Sequence, residues 1–286
     1  MAGPQRVVIV GVGLLGGSLG LALRRRTRAR VIGLSHRPGT VLRARRRGVF
    51  HEGHTDPARA LPGADIVVFC TPVETIVPLA RRFAVHFDPN ALVMDVGSVK
   101  GPIVGGMASV FREPAGAHFI GAHPMAGSEK SGVENAAADL FVGATCALTP
   151  TGAARPRAIR RAADFWRSVG ARPIVVAPDV HDRAVALVSH LPHLIADALA
   201  LTAGRWGATP SERKTLRSLA AGSFRDATRV AGADPDLWRG IFDSNAAPLK
   251  RAARDFQRTL GGLVGRRWPR TDLRAAQRFH DEFHGS

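Results

Sequence analysis

His123 is the residue of this 286-residue chain best suited to moving a proton. It stands between glycines in Gly121-Ala122-His123-Pro124-Met125-Ala126-Gly127, where a short apolar strand pattern runs out. An imidazole ionises near pH ~6.5, so at neutral pH it can accept a proton from a substrate hydroxyl. Ser98, in Asp95-Val96-Gly97-Ser98-Val99-Lys100, follows a second strand pattern; from a neighbouring strand end its hydroxyl can bond the same reacting group. A third segment, Gly11-Val12-Gly13-Leu14-Leu15-Gly16, has the GxGxxG spacing of a dinucleotide loop and directly follows a strand pattern. In such a loop Gly11 makes the tight turn, Gly13 lets a pyrophosphate approach the backbone, and Gly16 lets helix and strand pack closely. Leu14 and Leu15 then open the helix whose N-terminal N–H groups receive the phosphates.

These groups need a scaffold that delivers several strand ends to one edge. Residues 6–10, 30–34, 65–70, 91–95 and 118–121 read as buried strands, and 14–26, 40–47, 75–87 and 106–111 as the helices between them. Continuous apolar strands alternating with helices argue for a parallel sheet covered on both faces. Residues 144–150, 155–169 and 171–178 extend that sheet as strand, helix, strand. From Asp179 the strand signals stop, and 180–204, 210–221, 235–242 and 246–263 read as helices. The expected fold is an α/β Rossmann-type N-terminal domain over 1–178, followed by an all-α C-terminal substrate and dimerisation domain over 179–286. A helical unit of this size is expected to pack on its twin in a homodimer.

The end of the second strand selects the cofactor. NAD is usually held there by an Asp or Glu on the ribose 2′-hydroxyl. This chain has Ser35-His36-Arg37 instead. No carboxylate repels a 2′-phosphate and Arg37 can bind one, so NADP is expected ahead of NAD, with NAD still acceptable. Thr71-Pro72-Val73, after the third strand pattern, is expected on the nicotinamide side.

Forty basic against 23 acidic residues give a formal charge of +17, almost all of it arginine; the lysines are Lys100, Lys130, Lys214 and Lys250. No RNP-like aromatic stripe or zinc-finger spacing accompanies the charge. It reads as a compositional bias and a field attracting an anionic small-molecule substrate, not as a nucleic-acid interface. Cys70 and Cys146 form no CxxC pair and read as packing residues in a reducing compartment. No run approaches the ~18–20 apolar residues of a membrane span, and the first residues lack the apolar core of a signal peptide. A cytoplasmic protein without a membrane partner or a metal is expected.

Taken together, these motifs resemble the prephenate/arogenate dehydrogenase family of tyrosine biosynthesis. GVGLLGGS, DVGSVK, GAHPMAGSEKSG and SHLPH occur in family order, FRDATRVAGADPDLWRGIFDSN continues the match, and the resemblance covers nearly the whole chain. It implies oxidation at C4 of a cyclohexadienol, hydride transfer to a nicotinamide, loss of CO₂ from C1 and aromatisation of the ring, with no metal required. It implies that His123 accepts the ring hydroxyl proton and that Ser98 holds hydroxyl and imidazole in line. Arg229 would bind a substrate carboxylate, which a guanidinium can do bidentately. His190 and His193, three apart on one helix face, would flank the nicotinamide and the substrate tail. Ser128 and Glu129 would support the same pocket. Asp226 and Trp238 would shape or gate it, from the partner subunit. A donating His193 suits the keto tail of prephenate, whereas the Ser-His-Arg cofactor end resembles NADP-using members, several of which take arogenate. Both substrates stay open at this level.

Two other readings compete. A β-hydroxyacid dehydrogenase also joins a Rossmann domain to helices, but it relies on a lysine in the helical part; Lys214 and Lys250 are the candidates, and neither sits in a convincing motif. An NADP-sensing nucleic-acid-binding protein would use the arginine excess and betray itself by steeply salt-dependent DNA binding.

Overall fold

The computed structural model describes residues 5–111, 117–127, 130–152 and 154–284. Its centre is one eight-stranded sheet of β1 (Arg6–Val10), β2 (Arg30–Leu34), β3 (Glu52–His54), β4 (Ile66–Phe69), β5 (Leu92–Asp95), β6 (His118–Pro124), β7 (Thr145–Pro150) and β8 (Arg172–Val175). The strand order is β3-β2-β1-β4-β5-β6-β7-β8. Strands β1 to β6 pair in parallel, and β8 is parallel to β7. The β6–β7 pair is antiparallel, which departs from the expected parallel sheet. A parallel return needs a crossover, usually an α-helix. Among the described residues, the β6–β7 connection holds only a 3₁₀ turn, Val133–Asn135.

Alternation along the strands builds two cores. Val7, Ile9, Ile66, Val68, Leu92 and Met94 face one layer, and Val8, Val10, Val67, Phe69 and Val93 face the other. Side chains in a strand alternate with a period of two, so a strand buried on both faces is apolar throughout. Each such side chain contributes about 1.5–3 kcal/mol on burial. The first layer includes α1 (Leu14–Arg26); α2 (Pro38–Arg46) and the short α3 (Pro57–Ala60) follow β2 and β3. The second layer includes α4 (Val73–Phe83) and α5 (Gly101–Val110), and α6 (Pro156–Ser168) lies with the first. β3 and α3 escape the sequence reading because Glu-Gly-His and Pro-Ala-Arg-Ala carry no apolar run.

The helix expected over 180–204 is divided. It consists of α7 (Pro178–Val185), a π turn (Ala186–His190) and α8 (Leu191–Trp206). Pro192 has no N–H to return to the carbonyl four residues back, and the ladder widens just before it. By length and composition Pro178–Trp206 could cross a membrane, a feature the sequence reading missed. Its buried side, however, carries His181, Asp182, His190 and His193. Its apolar character comes in part from the exposed Leu187, Val188, Leu199 and Leu201. The rest of the chain is helical: α9 (Pro210–Leu219), α10 (Gly222–Thr228), a 3₁₀ turn (Arg229–Gly232), α11 (Pro235–Ser244), α12 (Ala246–Gly265) and α13 (Arg270–His284). Thr209 and Glu212 form a capping box on α9, and Asp234 caps α11.

Candidate active site

The glycine loop links β1 to α1. Gly11 has φ +92°, and a Cβ there would lie 2.7 Å from the Cys70 carbonyl oxygen at the end of β4. A Cβ on Gly16 would meet the Gly11 carbonyl oxygen at 2.0 Å, whereas one on Gly13 would meet nothing within 4 Å. The backbone is thus tight beneath the loop and open above Gly13, where α1 begins without a side-chain cap. That open helix end suits a pyrophosphate. Thr71 abuts Gly11, and its Oγ1 is buried without a hydrogen-bond partner among the described residues. Pro72 and Val73 open α4 beside it. At the end of β2, Ser35 is buried, Arg37 is exposed, and the Arg37 guanidinium donates to His36 Nε2 at 3.1 Å. The carboxylates on the neighbouring strand and its turn are engaged, Glu52 with Arg30 and Asp56 as the cap of α3. These residues fit a nicotinamide dinucleotide.

His123, half-buried near the end of β6, heads a chain of hydrogen bonds. Its Nδ1 lies 2.9 Å from Nε2 of His181, and Nδ1 of His181 lies 2.8 Å from Oδ1 of Asp182. The backbone N–H groups of Lys100 and Gly101 donate to the two oxygens of Asp182, each at 2.7 Å. Burial pushes the Asp182 carboxyl up, but the hydrogen bonds from His181, Lys100 and Gly101 outweigh it and hold the group below the usual carboxylate range. Lys100 and Asp95 form a fully buried ion pair. Lys100 Nζ also donates to the Ala122 carbonyl at 2.8 Å, and the Ala122 N–H donates to Asp95 at 3.1 Å. The pair therefore clamps the backbone beside His123. Burial, then the Lys100 ammonium, then His181 and His190 hold His123 well below the ordinary histidine range. It is neutral at physiological pH, with a ring nitrogen able to accept a proton.

Asn245, just after α11, joins this chain to a second cluster. Its Nδ2 donates to the Asp182 carbonyl at 2.9 Å and to His190 Nδ1 at 3.1 Å. With Nδ1 accepting, the His190 proton sits on Nε2, which is buried and has no partner among the described residues. Burial, against the pull of Asp182, pushes His190 down to about 4, so it stays neutral. His193 stacks on Trp238 with ring centroids 3.6 Å apart, and its Nδ1 is also buried without a partner among the described residues. A buried polar atom left unpaired costs about 1–3 kcal/mol, so each of the two is able to take a partner from a bound polar molecule. His193, Asp197, Trp238 and Arg239 line a cavity of about 730 Å³ beside this cluster.

The other expected site residues are less closely gathered. Ser98 lies half-buried between β5 and α5, at the same strand-end edge as His123, and its side chain makes no hydrogen bond among the described residues. Arg229 opens the 3₁₀ turn after α10 and is exposed, as is Asp226; neither is paired among the described residues. Ala231, two residues beyond Arg229, lines the cavity shared by His193 and Trp238. Ser128 and Glu129 lie outside the described residues. Sequence reasoning missed His181, Asp182 and Asn245, and quoted Asp95 and Lys100 without seeing their pairing. One signal was available: adjacent His and Asp early in an otherwise apolar helix pattern.

A glycine-loop dinucleotide site and a neutral histidine at the carboxyl edge of one sheet define a nicotinamide-dependent dehydrogenase. Residues 19–175 match the family described as "Prephenate dehydrogenase, nucleotide-binding domain", and residues 177–265 match "Prephenate dehydrogenase, dimerization domain". The chain belongs to the prephenate/arogenate dehydrogenase family, and its activity is the NAD(P)-dependent dehydrogenation that family contributes to tyrosine biosynthesis. The cyclohexadienyl dehydrogenase of Zymomonas mobilis is 32% identical over 247 residues, spanning 86% of this chain and 82% of that protein. The crystal structure of prephenate dehydrogenase from A. aeolicus in complex with hydroxyphenyl propionate and NAD+ is similar with a TM-score of 0.84 at 32% identity, covering 99% of this chain and 96% of that one. Synechocystis arogenate dehydrogenase is similar with a TM-score of 0.82 at 30% identity, covering 99% and 100% of the two chains.

Proposed function

We propose that this chain oxidatively decarboxylates a cyclohexadienol diacid, prephenate or arogenate, with His123 as the acceptor of the ring hydroxyl proton. The observation that carries this reading is a neutral His123 at the strand-end edge that also bears the Gly11–Gly16 loop. When bound, the nicotinamide supplies the hydride acceptor. His123 takes the O–H proton as the C4–H bond breaks. The electrons of the C1–carboxylate bond enter the ring as CO₂ leaves, and the proton returns to the phenolate oxygen, so none is gained or lost overall. Ser98 steadies the hydroxyl. Arg229 binds a substrate carboxylate. His190, through its unpaired Nε2–H, and His193 receive the remaining polar atoms of substrate and cofactor, with Ser128 and Glu129 supporting the pocket. Asp226 and Trp238 gate it.

NADP is preferred over NAD, supported by Arg37 and by the engaged carboxylates beside it. The nucleotide-binding part spans 1–178 and the helical part 179–286. The protein is a cytoplasmic homodimer joined through its helices, with no nucleic-acid or membrane partner. The decisive assay offers prephenate and arogenate, each with NADP and NAD, and follows reduced cofactor and CO₂ together. Equal yields of the two from at least one pair are expected. No turnover of any pair would overturn the reading.

A further inference from the structure

We propose that His181 and Asp182 are positioning residues that fix the tautomer of His123. This rests on His123 being the base proposed above. Asp182 can only accept: its oxygens already take the N–H groups of Lys100 and Gly101, and Oδ1 faces His181 Nδ1 at 2.8 Å. The proton between them therefore belongs to His181 Nδ1. With that one proton on Nδ1, His181 presents the lone pair of Nε2, 2.9 Å from His123 Nδ1. Two lone pairs cannot face each other at that distance, so His123 carries its proton on Nδ1. Its Nε2 is left bare, and no described residue takes that atom. The hydrogen bond at one ring nitrogen thus decides which nitrogen is the base.

The arrangement crosses the molecule. His123 comes from β6, the N–H groups holding Asp182 come from Lys100 and the first residue of α5, and the His181-Asp182 pair comes from α7. Asn245, from the end of α11, holds the Asp182 carbonyl from behind. Charged and titratable groups around His123 include Lys100, His181, His190 and the Cys146 thiol on β7. When His123 accepts a substrate proton on Nε2, its Nδ1 proton is hydrogen-bonded to His181, and the positive charge faces a chain ending in the Asp182 carboxylate. In an acid–histidine–nucleophile triad of hydrolases, losing the acid that sets the tautomer lowers kcat on the order of 10⁴-fold.

The test uses the full chain labelled with ¹⁵N-histidine and long-range ¹H–¹⁵N spectra, His123 being assigned by the signals missing from His123→Asn. At neutral pH His123 is expected as the Nδ1–H tautomer. In His181→Leu it is expected to change to Nε2–H, with kcat down roughly 10²–10⁴-fold and KM little changed. His181→Gln, whose amide oxygen can accept from His123 Nδ1, is expected to restore about tenfold or more of that kcat. An Nε2–H tautomer in the wild type overturns the proposal, and this reading does not depend on the folding of a His181 variant. An unchanged tautomer and kcat in a folded His181→Leu also overturn it. Failure of the base assignment is read separately, as an undiminished kcat in His123→Asn.

Discussion

The sheet half and the helical half of this molecule are stabilised differently. In the first, alternate residues of each central strand enter two large apolar layers, and the strands β1, β4 and β5 are buried along almost their whole length. In the second, among the described residues, Leu191, Leu249 and Ala252 form a small buried apolar cluster, with Phe242, Phe256 and a few others packed against it. Most of the large exposed apolar side chains of the molecule, including Leu187, Val188, Leu201, Trp206, Leu219, Phe279 and Phe283, belong to helices of this half. Apolar surface on this scale suits the helix-joined dimer proposed above. The sheet half completes its own core; the helical half presents one to be completed. The hydrogen-bonded chain runs between the two, from His123 through His181 and Asp182 to Asn245 and His190.

The contrast can be broken in several places. Lys100→Met removes one partner of a pair with no solvent access and leaves the Asp95 side chain buried without it. It should cost about 3–5 kcal/mol, read as a large fall in Tm and in the denaturant midpoint. A loss below ~1 kcal/mol, typical of surface pairs, would contradict the buried clamp. Leu187→Asp with Val188→Asp alters side chains that are 55% and 68% exposed in the single chain. The monomer fold should survive, while dimer dissociation should rise roughly 100-fold as two apolar groups become charged at the contact. Light scattering across a dilution series checks this; an unchanged mass would remove that face from the interface. Arg37→Ala should lower kcat/KM for NADP about tenfold and leave NAD nearly unchanged, the loss of one charge-assisted contact. Equal losses with both cofactors would assign Arg37 no role at the 2′ position.

The pH profile offers a smaller but sharper reading. His123 must be neutral to accept a proton, and its folded pKa is lowered by burial and by Lys100. Activity is therefore retained as pH falls through the ordinary histidine range near ~6.5 and lost only below it. An acid limb in kcat/KM at or above that value would count against the burial of a neutral base.

Much of this was legible in the sequence because it is local. The Gly11–Gly16 spacing, the apolar strand runs and the glycines around His123 each carry their meaning within a few residues. What escaped is tertiary. The His181-Asp182 pair becomes informative only when α7 is laid against the ends of β5 and β6, and Asn245 only when α11 returns to the same place. The π turn before Pro192 sets the facing of His190 and His193, which a helical periodicity of 3.6 does not register. The β7 reversal was hidden because strand patterns carry no direction. Arg229 and Asp226, exposed in the single chain, depend for their proposed roles on contacts that a local motif does not describe.

His123, held neutral where the two halves meet, is proposed to take the substrate proton. Steady-state kinetics of His123→Asn, with the better of prephenate and arogenate and saturating cofactor, tests it most directly. Asparagine keeps the size and polarity of the site but is not a base, so kcat should fall roughly 10²–10⁴-fold while KM stays within a few fold. A variant with near-normal kcat and a raised KM would show that His123 binds substrate without moving its proton, contradicting its role as the base.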